Sequence, residues 1–502
     1  MYRNRNNRFL KKLLRQISLF AFATTIIVNA TETIALVPDS AGQPSAEPAN
    51  KITRQSETAS LSVTGTTWPP AVVARATRCS TPMKGSNNTI NVGPGQTYEE
   101  LTDVRWLDLE AGDVVNIYHR AKPYRTKVAI RGRGTTRDPI IINGVTNEDC
   151  ALPEVSGKNA VTATDVASEE FFNVKWKTGA LAVFYLYKGP NDNWGHRPAH
   201  IKFQNLKISG AHPSNKFTTQ SGGVGRYQRG AAGIYAVVAD DITIDNCEVT
   251  GNGNGIFINS KSADETSHRF IVRNSKLYGN GVAGSYYEHN LYIQVARSLY
   301  EGNYVGQLVA GARGSSLKDR SSGTVIRYNQ IDAAARAIDL VESEGGIVVN
   351  DPIYNDAWVY GNLIVSDLDR KSMSSTLLIH WGGDDDPRYF RTGTLNFFHN
   401  TVAVTASQKQ AYYVSYFDLP EERQSFNGWA NVLHHKGTSE QWMAYESGRM
   451  SACVWMVKPL KATIPNWTST FFHCPVHLSL IRRSLIRQST RQVFDGRRKT
   501  CS

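Results

Sequence analysis

An all-β solenoid is the fold class this sequence predicts, and three observations predict it. Short runs of alternating apolar residues end repeatedly in Asn, one further residue and an apolar one, often with Gly nearby. HIKFQNLKISG carries Asn205, DITIDNCEVTG Asn246, FIVRNSKLYGNG Asn274, SLYEGNYVG Asn303, TVIRYNQID Asn329, AWVYGNLIV Asn362, LNFFHNTVAV Asn400 and, more weakly, GWANVLHHK Asn431. These anchors follow one another at 41, 28, 29, 26, 33, 38 and 31 residues, room for two or three short strands but not for the four of a propeller blade. A second strand lies between each pair of anchors: GIYAVV, GIFINS, NLYIQV, SLKDRS, AIDLVE, LLIHWG and YYVSYF. An apolar period of two with many β-branched residues makes these strands, not helices. Asn and Gly at the corners tolerate the left-handed backbone that a closing coil needs. An inward Asn on every coil can pass hydrogen bonds up a ladder and satisfy corner backbone beyond the reach of water.

The segments follow in order. Residues 1–30 read as a secretory signal: six basic residues precede the apolar stretch Ile17 to Val28, and Val28-Asn29-Ala30 offers a small-residue cleavage site. That stretch is shorter than the ~20 residues that span a bilayer. The reading is therefore of a secreted, periplasmic or cell-envelope protein with no membrane partner once the signal is removed; an uncleaved membrane anchor is the alternative. Residues 31–87 form a Ser/Thr/Pro-rich linker, 88–448 the solenoid with a short N-terminal capping segment, and 449–502 an atypical basic tail, read as non-native sequence or as an attachment tail. With 41% hydrophobic and 20% charged residues, 18 Phe and 22 Tyr, the chain is not a disordered one. Its net charge of +12 sits at the ends, because residues 1–30 hold six basic and no acidic residues and 449–502 hold ten basic against Asp495. The body carries 40 basic against 43 acidic residues, which excludes nucleic acid as a partner by charge. Among six cysteines none has metal-type pair spacing. Cys79 and Cys150 are the pair that export would join, and Cys247, inside a repeat, reads as a small core residue.

The coils resemble those of right-handed, single-stranded parallel β-helix proteins of the pectin-lyase-like fold, shared by many carbohydrate-active proteins. The front end, from VGPGQTYEELTDVRWLDLEAGDVV to IIINGV (Val92–Val145), is similar to the opening coil of secreted bacterial members, where a Gly-Asp-x-Val strand follows a short capping helix. The resemblance covers roughly residues 88–445. It implies the fold and a carbohydrate-facing role, since that fold hosts lyases, hydrolases, epimerases and plain binders.

Aligning the second strands by apolar positions turns Ile234, Ala236, Ile256, Ile258, Leu291, Ile293, Leu317, Ile338 and Leu340 inward. The outward row then reads Tyr235, Phe257 and Asn259, Tyr292 and Gln294, Lys318 and Arg320, Asp339, and His380. Rings and amides leading into two cations, a carboxylate and an imidazole suit an acidic polysaccharide. The first reading is β-elimination on a uronate-containing glycan, which must neutralise a carboxylate and abstract the proton α to it. Arg320 then holds the carboxylate, Lys318, crowded by Arg320, is the base, and His380 or Tyr292 protonates the leaving oxygen, with Asp339 completing the catalytic set. Tyr235, Phe257, Asn259, Tyr292 and Gln294 are the substrate-binding residues. A monomer without cofactor is expected.

SLKDRS also resembles the catalytic Lys strand of the chondroitinase-B and alginate-lyase group, which implies a Ca²⁺-binding acidic pair ahead of Lys318 and an Arg on the next coil. Gly311 and Arg313 stand at the acidic positions and Asp339 near the Arg, so calcium lacks its expected ligands. Ca²⁺ at Asp384–Asp386, or at Glu342 and Glu344, is the other possibility. The competing readings are a non-catalytic polysaccharide-binding or adhesion module on the same face and, third, a glycoside hydrolase, for which Asp339 lacks an acidic partner on the next coil. On the structural reading, Lys318 and Asp339 form an exposed cross-strand ion pair, His289, His399, His434 and His435 serve as hydrogen bonders, and Asp384–Asp386 is a solvated loop. The segment 211–230, with Arg226 and Arg229, walls one side of the groove. No GxSxG, phosphate-binding glycine loop or nucleotide fingerprint occurs.

Overall fold

The computed structural model describes residues 79–333, 336–368, 375–406, 413–437, 440–445 and 449–457. The segment read as a signal, residues 31–78 of the linker and the tail after Val457 lie outside the described residues. Three strands make a coil: Ala232–Val237, Asp240–Asp245 and Glu248–Thr250, for instance. Each pairs in parallel with its counterpart one coil on, in Asn254–Asn259, His268–Arg273 and Lys276–Tyr278. Repeated along the chain, this winds a right-handed parallel β-helix with two sheets, of 20 and 13 strands among the described residues. The strands that carry the outward row form what we call the front face: Ala182–Leu186, Ala232–Val237, Asn254–Asn259, Leu291–Ile293, Ser315–Asp319, Arg336–Leu340, Ser375–Trp381 and Tyr413–Leu419. Alternation fixes which side chains enter the core, and all nine residues assigned inward, from Ile234 to Leu340, are buried.

The single inward Asn row is corrected. Asn205, Asn246 and Asn274 occupy the corner itself, with φ of 58°, 50° and 52°. From Asn303 onward the corner belongs to the preceding residue (Gly302, Tyr328, Gly361, His399 and Ala430, all at positive φ), and the Asn turns into the core. There Asn329, Asn362, Asn400 and Asn431 each accept, through Oδ1, both the backbone N–H and the Nδ2–H of the preceding Asn at 2.9–3.1 Å. Cys247 and Ser275 take the ladder position on the earlier coils, where the Ser275 hydroxyl accepts the Cys247 N–H. Asn suits both jobs, the left-handed corner and the ladder beside it, so spacing alone merges two rows into one.

At the N-terminal end the expected capping helix is two 3₁₀ turns, Leu101–Asp103 and Trp106–Asp108, that bury Leu101, Trp106 and Leu107. Cys79 and Cys150 are joined across 71 residues, and Ser80 and Met83 hydrogen-bond Gly144 and Asn116. Residues assigned to the linker, Cys79 to Met83 among them, thus pack on the first coils. At the other end strand pairing runs on to Val457, through Arg449–Val457 beside Ser425–Gly437.

The segment 211–230 forms an antiparallel hairpin, Lys216–Thr218 with Val224–Arg226. Arg226 turns to its own hairpin at Ser214, 3.5 Å away, and Arg229 lies 3.8 Å from Glu288. Beneath the hairpin, Lys127 is completely buried with its ammonium nitrogen 3.6 Å from the Phe217 ring centre, 5.1 Å from Phe172 and 5.5 Å from Tyr227. It has no hydrogen-bond partner among the described residues, and burial pushes its pKa well below the lysine range. The unfolded chain binds a proton there that the folded one does not. Stability should therefore rise as pH climbs from the lowered value toward the ordinary ~10.4. Lys127→Met is expected to stabilise the protein at neutral pH by about 1–3 kcal/mol, the usual cost of a buried polar group without a hydrogen bond. It should also remove that pH slope, and denaturant midpoints of both proteins across pH 7–10 check the result.

Candidate functional site

Strand register on the front face sets one outward column: Tyr185, Tyr235, Phe257, Tyr292, Lys318, Asp339, His380 and Asp418. Continuing the register by one residue places Asn259, Gln294 and Arg320 in a second column beside it. The Tyr185–Tyr235, Tyr235–Phe257 and Phe257–Tyr292 ring centres are 5.8, 4.4 and 5.1 Å apart at 27°, 20° and 19°. The rings stack on each other because the ~4.8 Å strand spacing nearly matches a ring contact. Their faces are therefore occupied by one another.

Outward does not mean exposed. Two insertions, residues 341–356 and 382–393, fold over the column, leaving Lys318 and Arg320 at 8% exposure, His380 at 2% and Asp339 at 1%. The exposed ion pair of the structural reading is thus a buried cluster. Asp339 is its hub: Oδ2 lies 3.3 Å from Lys318 Nζ and accepts from Ser315 Oγ at 2.8 Å, while Oδ1 meets Arg336 Nη1 and His380 Nδ1, each at 2.9 Å. Asp384 reaches in from the second insertion. Its Oδ2 stands 3.1 Å from Lys318 Nζ and 3.8 Å from Arg336, and its Oδ1 3.6 Å from Arg320. Asp384 and Asp385 are exposed, as a solvated loop leaves them, yet the Asp384 carboxylate pairs with Lys318, which sits between two carboxylates and is not crowded by Arg320. Arg320 donates to Tyr292 Oη at 3.0 Å and to the Glu342 carbonyl at 2.6 Å. Gln294 Nε2 bonds Asn259 Oδ1 at 2.9 Å, and its Oε1 accepts the Glu344 N–H at 2.6 Å, so this amide anchors the first insertion.

Electrostatics hold the two carboxylates ionised. Burial alone would raise the Asp339 carboxyl, but Arg336, Lys318 and His380 bring it well below the usual carboxylate value. Burial likewise opposes the ionised form of Asp384, and Lys318 and Arg320 outweigh it. For His289 burial, reinforced by the Lys318 charge, lowers the pKa to about 3, so its Nδ1 is an acceptor for the Ser315 N–H at 2.8 Å. Its assignment as a hydrogen bonder agrees with this. Burial pushes Tyr235 up to about 12.

Asp339, His380 and Asp384 each place a ligand atom within 4.8 Å of the others. As a calcium site they fit poorly. That ion takes 6–8 oxygens, whereas here one donor is an imidazole and Lys318 and Arg336 already neutralise both carboxylates. Glu342, the other acidic candidate, has its oxygens on the backbone N–H groups of Asp384, Asp385 and Asp386.

Three members of the site escaped sequence reasoning, and a fourth, Asp384, entered it only as a possible calcium ligand or a loop residue. Tyr185 and Asp418 lie one coil before and one coil after the aligned strands and were legible in AVFYL and YVSYFDL by the same alternation. Arg336 stands three residues before Asp339, off the alternating row, and Asp384 belongs to an insertion without period. No pattern in the sequence points to those two.

Column, core and ladder make the chain a right-handed parallel β-helix protein, and residues 195–372 match the family model described as right handed beta helix region. Its solved likenesses include an alginate lyase from Paenibacillus sp. str. FPU-7, 14% identical with a TM-score of 0.36, covering 68% of this chain and 92% of that one. GH136 lacto-N-biosidase from Eubacterium ramulus is 14% identical with a TM-score of 0.40, covering 73% of this chain and 67% of that one. PfbA, a surface adhesin of Streptococcus pneumoniae, is 10% identical with a TM-score of 0.29, covering 69% and 85%. No curated protein matches.

Proposed function

We propose that this chain is an exported, monomeric carbohydrate-active enzyme that cleaves an acidic, uronate-containing polysaccharide by β-elimination on the front face. The observation that carries the reading is the cluster itself: three cations, Lys318, Arg320 and Arg336, interleaved with Asp339, Asp384 and His380 where a column of rings ends. Elimination needs a cation on the uronate carboxylate, a base for the C5 proton and an acid for the departing oxygen. Arg336, with 28% of its side chain exposed, and Arg320 suit the carboxylate. His380, oriented by Asp339, takes the C5 proton as the C4–C5 double bond forms. The C4–O bond breaks, and Lys318 passes a proton to that oxygen. This assignment replaces Lys318 as base, because its amine faces two carboxylates. We assign the reaction no cofactor.

Glycoside hydrolysis is the second reading, favoured by one observation: Asp384 supplies the acidic partner that Asp339 lacks on the next coil. The test incubates the full chain with a panel of uronate-containing polysaccharides, with and without Ca²⁺, following both ultraviolet absorbance of unsaturated uronate and new reducing ends. Both signals support elimination, reducing ends alone support hydrolysis, and binding without product supports the adhesion or binding module. Lys318→Ala is expected to lower the rate by about 10²–10⁴-fold, the usual contribution of a positioned proton donor. Full activity in that variant would remove Lys318 from the mechanism.

A further inference from the structure

We propose that Glu342 is a positioning residue that sets Asp384 against Lys318. This rests on the proposed cleavage for its kinetic consequence and on geometry for the rest. Asp384 lies outside the regular coil, on an insertion whose place no strand pairing fixes, yet its carboxylate meets three cations. Something must hold the loop that carries it. Glu342 lies just after the strand Arg336–Leu340 with 2% of its surface exposed. Its Oε2 accepts the Asp384 N–H at 3.0 Å, and its Oε1 accepts those of Asp385 and Asp386 at 3.0 and 3.1 Å. Three successive N–H groups converging on one carboxylate form an anion-binding concavity of backbone. Here the anion is a side chain of the neighbouring coil. Arg320 Nη1, 3.5 Å from Glu342 Oε2, braces the carboxylate from the other side. The same guanidinium lies 3.6 Å from Asp384, so it connects the clamp to the carboxylate being positioned. Charge-assisted bonds to backbone N–H are among the stronger ones a loop can have. Exchanging the carboxylate for an amide introduces an NH₂ where at least one N–H must point, so glutamine is nearly isosteric and still cannot reproduce the clamp.

The experiment compares the full native chain with Glu342→Gln, Asp384→Asn and the double variant. Amide hydrogen exchange is read at residues 384–386, with the strand Ala232–Val237 as the internal control for folding. Glu342→Gln is expected to speed exchange of the three loop amides at least tenfold and leave the control strand unchanged, whereas Asp384→Asn keeps the loop slow. On a substrate that the native chain cleaves, Glu342→Gln should lower kcat about 10–100-fold with KM within about twofold, the pattern of a misplaced catalytic group. The double variant should be no slower than Asp384→Asn alone, because Glu342 acts through Asp384. Loop amides as slow in Glu342→Gln as in the native chain would overturn the proposal, as would multiplicative losses in the double variant. A native chain without product, but with the loop loosened in Glu342→Gln, would sink the proposed cleavage and leave the clamp standing.

Discussion

Asp339→Asn is expected to reduce product formation from acidic polysaccharide by about 10²–10⁴-fold and also to destabilise the protein. The carboxylate is 1% exposed and neutralises Lys318 and Arg336 while orienting His380. An amide keeps the shape but carries no charge, leaving buried Lys318 and half-buried Arg336 to share Asp384 and turning the imidazole free of its anchor. Breaking a buried pair on one side costs about 3–5 kcal/mol, and the residual pairing with Asp384 places this variant at the lower end. Because the folded-state pKa is depressed, the stabilisation by ionised Asp339 is fully present above the unfolded value of about 3.9 and is lost as pH falls through the folded one. The stability gap between native and variant should therefore be constant from neutral pH down to about 5, then close on further acidification. Denaturant melts across that range, together with product assays, check both halves. An unchanged rate would exclude the cluster as the seat of chemistry, whatever the change in stability.

The second large effect belongs to the ladder. Asn329→Ala is expected to cost about 2–6 kcal/mol, at ~1–3 for each buried donor left without an acceptor. Two donors are affected, since Asn329 Oδ1 takes both the backbone N–H and the Nδ2–H of Asn303, each at 2.9 Å. The side chain also donates to the carbonyls of Tyr300 and Arg327. The half-buried corner residue gives the contrast. Asn274→Ala puts a methyl side chain at φ 52°, for which the left-handed penalty is about 1–2 kcal/mol. Denaturant midpoints of the two variants separate the rows that the anchor pattern merges, and equal losses would contradict the division into corner and ladder.

Why some of this molecule was legible and some was not follows from the range of the forces involved. Coil-to-coil pairing reads out as local alternation, so AIDLVE beside LLIHWG already places Asp339 next to His380, and SLKDRS beside AIDLVE places Lys318 next to Asp339. The same strict register carries Tyr235, Phe257 and Tyr292 into one stack. Merging corner and ladder Asn had a different origin: two adjacent backbone positions accept the same residue type for different reasons.

By itself, then, the sequence determined the solenoid, the core side of the front strands from Ile234 to Leu340 and the column on which Lys318, Asp339 and His380 meet. A period of two and a ladder repeat are written residue by residue, and parallel pairing leaves one register that buries the apolar set. Only the tertiary structure decided that the column is covered, that Asp384 and Arg336 join it, and that Lys318 faces carboxylates. Those contacts cross from aperiodic insertions to strands as many as 66 residues away, and their geometry follows from how Glu342 and Gln294 dock the insertions. Side-chain hydrogen bonds to loop backbone leave no period in the chain, so the charge environment of the site exists only once the coils have stacked.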